Sequence, residues 1–445
     1  MRRFTFDKFL FGLIAAMSLH AFDDVAIVTM LPVVTRQLGG ESWFGASFFA
    51  YLLSSLLSLV WAGHITDRVG PRWPFIVGLI VFILGLIVGA LAESTPQFVA
   101  GRALQGFGGG AIQAVVFSAI NLAYNEAQRK RAISLLATAW ILPALLAPMV
   151  AGYVTQVWDW HWVFWGMIPM AMIVCLLSQQ RLASLSRVVG VKTVPAKPFL
   201  MLNTLRIVLG IGVVLAGLNG AAHSVWLVVF VMAGGLLFVK PLLAVFPNGI
   251  LRATPGLNAA LILKGLLIYA CLGSEAFLPA YLSQVYGYST FQAGLVVTSG
   301  AASWIVATWL YEALGECFSV RQLLTLGTGL LFCGLVSVLV IIRLSADPQW
   351  IYLAWAVVCF GMGMSYAIAV ASAMKYAARG AEGAAATGAG MVDAIGFSFA
   401  SGVGGAILNA SALNGLGMAD SVPLIWSLNA LIAGLAVILV RRRFS

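Results

Sequence analysis

The chain has 445 residues, 61% of them hydrophobic and 9% charged, with 25 Lys and Arg against 15 Asp and Glu for a formal charge of +10. Soluble domains carry about 25% charged residues, so a water-soluble fold is excluded, and apolar runs of about 20 residues without strand-like alternation exclude a β-barrel. The basic residues collect in short segments between the runs and at the chain ends, which fits membrane topology rather than nucleic-acid binding.

The first run, residues 9–35, is too long for a signal-peptide core and lacks a small-residue cleavage site after it, so it is expected to stay as the first span. Spans at 43–66, 73–92, 97–124, 132–157 and 160–178 complete a group of six. Gln179 to Pro198, with Arg181, Arg187, Lys192 and Lys197, reads as a polar cytoplasmic linker. Two shorter runs, 207–222 and 224–239, read as an inserted hairpin whose ends must tilt or extend to cross. Six more spans follow at 257–285, 291–311, 322–342, 349–374, 384–409 and 422–440.

The expected protein is all-α and integral to the membrane, with about 14 transmembrane helices. One six-helix bundle occupies residues 1–180, the linker and hairpin 181–256, and a second six-helix bundle 257–445, with both termini cytoplasmic. Leu31-Pro32-x-x-x-x-Gln37-x-Gly39 returns as Leu278-Pro279-x-x-x-x-Gln284-x-x-Gly287. The same unit therefore opens both halves, as in transporters built from parallel repeats.

The charged residues within the runs are the candidates for chemistry. Asp23 and Asp24 lie near the middle of the first span, with His20 one turn earlier. A carboxyl at that depth costs about 2.5–3.5 kcal/mol on insertion scales, which argues for a cavity and a task such as binding and releasing protons. The alternative is a buried carboxyl that fixes packing by pairing with His20 or a neighbouring helix. In the fourth span Arg102 precedes Gln105, Gly106 and Gly108 to Gly110. Its guanidinium stays charged and either serves a carboxylate or snorkels to the surface; the glycines suit close helix packing. In the second half, Glu275 is a further protonation candidate, Lys264 is expected to snorkel, and Asp393 is balanced between a cavity role and packing among Gly388, Gly390, Gly396 and Gly402.

Five cysteines lie in or beside apolar runs with no Cys-x-x-Cys spacing, so neither a disulfide framework nor a metal site is indicated. No Gly-Lys dipeptide, His-Glu-x-x-His or Gly-x-Ser-x-Gly occurs, which argues against an ATPase or another enzyme. No cofactor is expected, and energy is expected from an ion gradient.

The segment after the second run, Gly63-x-x-x-Asp67-Arg68-x-Gly70-x-Arg72, resembles the signature loop of the major facilitator superfamily of secondary transporters. Asp23 followed by Leu31-Pro32 resembles the first-helix motif of its fourteen-span drug:proton antiporters, with Val25 and Val28 where that family usually carries Thr and Asn. Arg102-x-x-Gln105-Gly106-x-Gly108 resembles the fourth-helix motif. Pro143-x-x-x-Ala147-Pro148-x-x-Ala151-Gly152 resembles the family's Gly-x-x-x-Gly-Pro-x-x-Gly-Gly with alanine for glycine, a bent and closely packed helix. Trp160-His161-Trp162-x-Phe164 and Pro169 resemble the opening of its sixth helix, where interfacial anchoring accounts for the aromatics. Glu312 and Glu316 stand where a second copy of the signature loop is expected, but no Asp-Arg-x-Gly is present.

The resemblance implies the major facilitator fold and export of lipophilic, often cationic compounds in exchange for protons. Asp23, with Asp24 and His20 nearby, would alternate between proton and substrate, Arg102 would tune it, and Glu275 and Asp393 are further candidates. Gly63, Asp67, Arg68, Gly70 and Arg72 would latch the cytoplasmic side. Partners would be a small lipophilic substrate, protons and the bilayer, with the chain acting as a monomer in a bacterial inner membrane. A proton-linked carrier for one metabolite or lipid is the alternative, and a non-transporting sensor or scaffold is less favoured.

Overall fold

The computed structural model describes residues 8–189, 198–220, 225–314, 317–376 and 382–444, and among them there is no strand. Fourteen helical segments among the described residues are long and apolar enough to cross a membrane. The chain divides into two compact units, residues 1–43 with 50–208 and residues 44–49 with 209–445.

The first unit is built on α1 (Lys8–Gln37), most of α2 (Phe44–Val69), α3 (Arg72–Ala90), α4 (Thr95–Ala123), α5 (Glu126–Val157), α6 (His161–Val189) and the first half of α7 (Pro198–Gly220). Helix α5 starts at a capping box, in which Asn125 Oδ1 accepts from the Gln128 backbone N–H and Gln128 Oε1 accepts from that of Asn125. It runs through Pro143 and Pro148 without a break, and Ala147, Pro148, Ala151 and Gly152 are buried. Helices α3 and α4 approach almost backbone to backbone: a Cβ on Gly85 would lie 2.5 Å from Gln105 N, and one on Gly101 2.8 Å from Gly89 N. Small residues are what allow helices without a hydrophobic drive between them to pack this closely in lipid.

Helix α6 extends to Val189, so the first part of the expected linker is helical. Arg181 and Arg187 lie on this extension, whereas Lys192 and Lys197 fall outside the described residues. The opening of α6 also departs from an interfacial belt. Trp160 and Phe164 are fully buried, Trp160 stacks on His161 and meets Phe98 and Phe164 edge-on, and its Nε1 donates to Gln37 Oε1. Of the two tryptophans only Trp162, 59% exposed, is placed as an anchor would be. Gln37 of the first-span motif thus closes the indole N–H that burial would otherwise leave unpaired.

The second unit contains the rest of α7, then α8 (Val225–Val245), α9 (Leu257–Glu275), α10 (Leu278–Val285), α11 (Thr290–Leu314), α12 (Val320–Arg343), α13 (Trp350–Lys375), α14 (Glu382–Leu413) and α15 (Met418–Arg443). Both hairpin helices are longer than their apolar runs; α8, at 21 residues, is about 31 Å long and matches a ~30 Å hydrocarbon core. Trp226, Val228, Met232 and Leu236 on α8 are exposed, as a lipid-facing helix requires. Helix α9 packs on α13, α14 and α15. The span at 257–285, expected as one helix, is interrupted at Ala276 and Phe277 before Pro279, whereas α1 passes through Pro32 unbroken.

Candidate functional site

In the first unit α1 and α4 bring Asp23 and Arg102 together. Arg102 Nη1 donates to Asp23 Oδ1 at 3.0 Å, and both side chains are 1% exposed. Arg102 Nη1 also donates to Gln105 Oε1 at 2.7 Å, one turn further along α4. The Tyr51 ring of α2 lies 4.2 Å from Arg102 Cζ, an arrangement worth about 2 kcal/mol where water is excluded. Arg102 is therefore a buried ion-pair partner, and the snorkelling alternative is set aside.

His20 turns toward Tyr51 instead of toward the carboxylates. Tyr51 Oη and His20 Nδ1 share a hydrogen bond of 2.7 Å, the two rings stack, and Trp140 of α5 meets the imidazole edge-on. Gly109 backs the imidazole so closely that a Cβ there would lie 2.5 Å from His20 Nδ1. Gly106 does the same for Tyr51, with a Cβ position 2.1 Å from the Tyr51 carbonyl oxygen. The glycines of α4 thus set the depth of the polar cluster. Asp23 Oδ2, Arg102 Nε and Gln105 Nε2 are buried and make no hydrogen bond among the described residues. Asp24 is half-buried and forms no ion pair among them. Consecutive helix positions point about 100° apart, so one carboxyl is locked against Arg102 and its neighbour is the more accessible.

The signature segment is partly helix and partly turn. Gly63 and Asp67 lie within α2, Asp67 and Arg68 are exposed, and no ion pair of Asp67 occurs among the described residues. Gly70 ends α2 at φ 83°, donating its N–H to Thr66 O. Ser186, on the extension of α6, braces the turn: its Oγ accepts from Arg72 N at 3.0 Å, and its Cα would lie 2.6 Å from a Cβ on Gly70. Gly70→Ala is therefore expected to cost about 1–3 kcal/mol through a strained left-handed residue and this contact, read as a lower thermal midpoint of the purified protein.

A second buried cluster joins α9, α13 and α14. Lys264 Nζ donates to Asp393 Oδ2 at 2.7 Å and to the Ala389 carbonyl at 2.9 Å, and lies 4.9 Å from the centre of the Tyr366 ring. The Tyr366 hydroxyl donates to Asp393 Oδ2 at 2.9 Å. The expected snorkelling of Lys264 is corrected here, because a carboxylate, a carbonyl and a ring face satisfy the ammonium within the unit. Glu275 ends α9, half-buried and apart from this cluster in sequence. The Glu312 side chain and Glu316 lie outside the described residues.

The model of the family described as Major Facilitator Superfamily matches residues 13–273, more than half of the chain. The chain belongs to the Major Facilitator Superfamily. A probable multidrug-efflux transporter of Mycobacterium tuberculosis is 24% identical over 434 residues, covering 92% of this chain and 90% of that protein. An acurin A biosynthesis cluster MFS-type transporter of Aspergillus aculeatus is 33% identical over 153 residues, 34% of this chain but only 27% of that protein's length. The fold matches the crystal structure of a POT family transporter in complex with a thioalcohol-conjugated peptide, with a TM-score of 0.70 at 15% identity over 98% of this chain and 96% of that one. This major facilitator protein is accordingly a multi-pass membrane transporter, not an enzyme.

Within this major facilitator fold, sequence reasoning missed Tyr51, Trp140 and Tyr366, the aromatics that hold both clusters. Each sits in a helix whose faces are all apolar, so periodicity gives no rotation. The pairing of Lys264 with Asp393 was equally hidden, although two opposite charges in two otherwise apolar spans are the signal that finds such pairs.

Proposed function

We propose that the transporter exports lipophilic, often cationic compounds in exchange for protons, by alternating access. The observation that carries this reading is the sealed Asp23–Arg102 pair beside the half-buried Asp24. Two carboxyls against one guanidinium leave one negative charge for a proton or a cationic substrate, and occupancy by either one excludes the other. Arg102 balances the charge of Asp23 when that carboxyl is ionised, and movement of α4 relative to α1 would release it. The signature segment at Gly63, Asp67, Arg68, Gly70 and Arg72 acts as the cytoplasmic latch. The full-length relative from Mycobacterium tuberculosis, a probable multidrug-efflux transporter, supports the drug substrate class. The basic run Arg441-Arg442-Arg443 supports a cytoplasmic C-terminus, in a bacterial inner membrane, with the proton gradient as the energy source and no cofactor.

The test is substrate-induced proton movement in proteoliposomes with an imposed pH gradient, using tetraphenylphosphonium and ethidium. Asp24→Asn is expected to slow coupled movement by about tenfold or more, about 1.4 kcal/mol of lost coupling, while the protein stays folded. Undiminished movement in both Asp23→Asn and Asp24→Asn would sink the reading.

A further inference from the structure

Lys264 and Asp393 differ in how they are held, and the difference says which of the two is exchangeable. The ammonium has two uncharged partners besides the carboxylate, the Ala389 carbonyl at 2.9 Å and the Tyr366 ring at 4.9 Å. Both remain in place if Asp393 is neutral, so the ammonium keeps part of its coordination. Among the described residues Asp393 has only Lys264 and the Tyr366 hydroxyl, both on Oδ2. Its Oδ1 makes no hydrogen bond among the described residues, and its side chain is 29% exposed against 4% for Lys264. The carboxylate is thus the less satisfied side of the pair, with one buried oxygen that has no partner among the described residues and can take a proton.

A proton on Asp393 Oδ1 removes the charge that balances Lys264. An ammonium without a counter-charge in a membrane span is costly. An arriving anion offsets that cost, whereas an arriving cation would place a second positive charge on one carboxylate. We propose that Lys264, Asp393 and Tyr366 form a second ligand site, which takes the anionic headgroup of an amphiphile on Lys264 as Asp393 takes a proton. One proton and one negative charge enter together, so the site stays neutral, and the one bond formed is the Oδ1–H bond of Asp393. Among the described residues the charged and titratable groups acting on Asp393 are Lys264 from α9 and Tyr366 from α13. Among the described residues no ion pair joins it to α15, or to α7 and α8, which meet α14 at Asn219 with Gly402 and at Phe238 with Phe399. The inference goes beyond the export of cations assigned to Asp23 and Asp24, and it is tested by binding alone.

The full-length protein in detergent is titrated with two fluorescent probes of fixed charge, a pyrenebutyl sulfonate and a pyrenebutyl trimethylammonium, and read by anisotropy. Because a proton is taken up with the anion, sulfonate affinity is expected to rise about tenfold or more between roughly pH 8 and pH 6. Asp393→Asn, which mimics the protonated carboxyl, is expected to bind sulfonate at the higher pH as tightly as the unsubstituted protein does at the lower. The charge-neutral double variant Lys264→Gln/Asp393→Asn leaves no lone buried charge and is expected to lose sulfonate binding. Three results would overturn the proposal: sulfonate binding unchanged in the double variant, a pH response that survives Asp393→Asn, or trimethylammonium as the probe whose affinity falls in Asp393→Asn. A pair that serves packing alone gives the first of these. Failure of the cation-export reading leaves the sulfonate titrations unaffected, since an anion has no place at Asp23 or Asp24.

Discussion

Arg102→Met is expected to lower stability by about 3–5 kcal/mol, the cost of leaving a buried carboxylate without its partner. Methionine keeps much of the volume and none of the charge, so the loss reports on Asp23 rather than on a cavity. Arg102 also supplies the hydrogen bond to Gln105 and the cation over Tyr51, and these go with it. Thermal unfolding is followed with a thiol-reactive dye in a background where the exposed Cys317 and Cys333 are replaced by serine, so that the buried free thiols Cys271 and Cys359 report unfolding. The double variant Arg102→Met/Asp23→Leu is expected to recover much of that loss, since an apolar pair replaces a buried ion pair at little cost, but to fall short of the original by the lost contacts to Gln105 and Tyr51. Transport should remain absent in both. If Arg102→Met alone were as stable as the unsubstituted protein, the ion pair between Asp23 and Arg102 would contribute nothing to the fold.

Gly106→Val is the second large effect, expected at about 3 kcal/mol or more, at the upper end for overpacking. The first added carbon would lie 2.1 Å from the carbonyl oxygen of Tyr51 and 2.4 Å from Ser54 Oγ. The nearest obstacle is backbone, so no rotamer relieves it, and α2 must move away from α4. That displacement carries Tyr51 off both His20 and Arg102. Gly63→Ala is the matched control: a Cβ there meets nothing closer than Ala114 Cβ at 4.0 Å, and a change of at most about 0.5 kcal/mol is expected. Expression and thermal midpoint of the two variants, measured side by side, separate close approach from a general aversion to substituted glycines. Equal behaviour would remove the packing argument at Gly106.

The fourteen spans were legible because hydrocarbon imposes a length and a composition that few sequences satisfy by accident. The first-unit cluster was half legible: Asp23 and Arg102 are conspicuous charges in apolar helices, but which of two adjacent carboxyls meets the guanidinium depends on helix rotation. Hydropathy also marks where the membrane ends rather than where the helix ends, which is why α6 runs on through Gln179-Gln180-Arg181-Leu182-Ala183, good helix formers in water. Trp160 was misplaced for a related reason. An aromatic at a span end looks interfacial until tertiary contacts, here with Gln37, Phe98 and Phe164, show it enclosed. The two Leu-Pro repeats read alike, yet one helix continues and the other breaks, and nothing in the two local sequences explains the difference.

The break between α9 and α10 leaves backbone acceptors in a part of the span where lipid offers no donor. At the Ser274 carbonyl, Phe277 N approaches only to 3.4 Å, and the indole N–H of Trp426 donates at 3.1 Å. A fluorophore therefore sits on the hinge of this span, tied to it by a single hydrogen bond. If that joint bends as the carrier changes state, the bond lengthens and the polarity sensed by the indole changes. In a variant retaining Trp426 as its sole tryptophan, emission wavelength would follow the conformational cycle without an attached label.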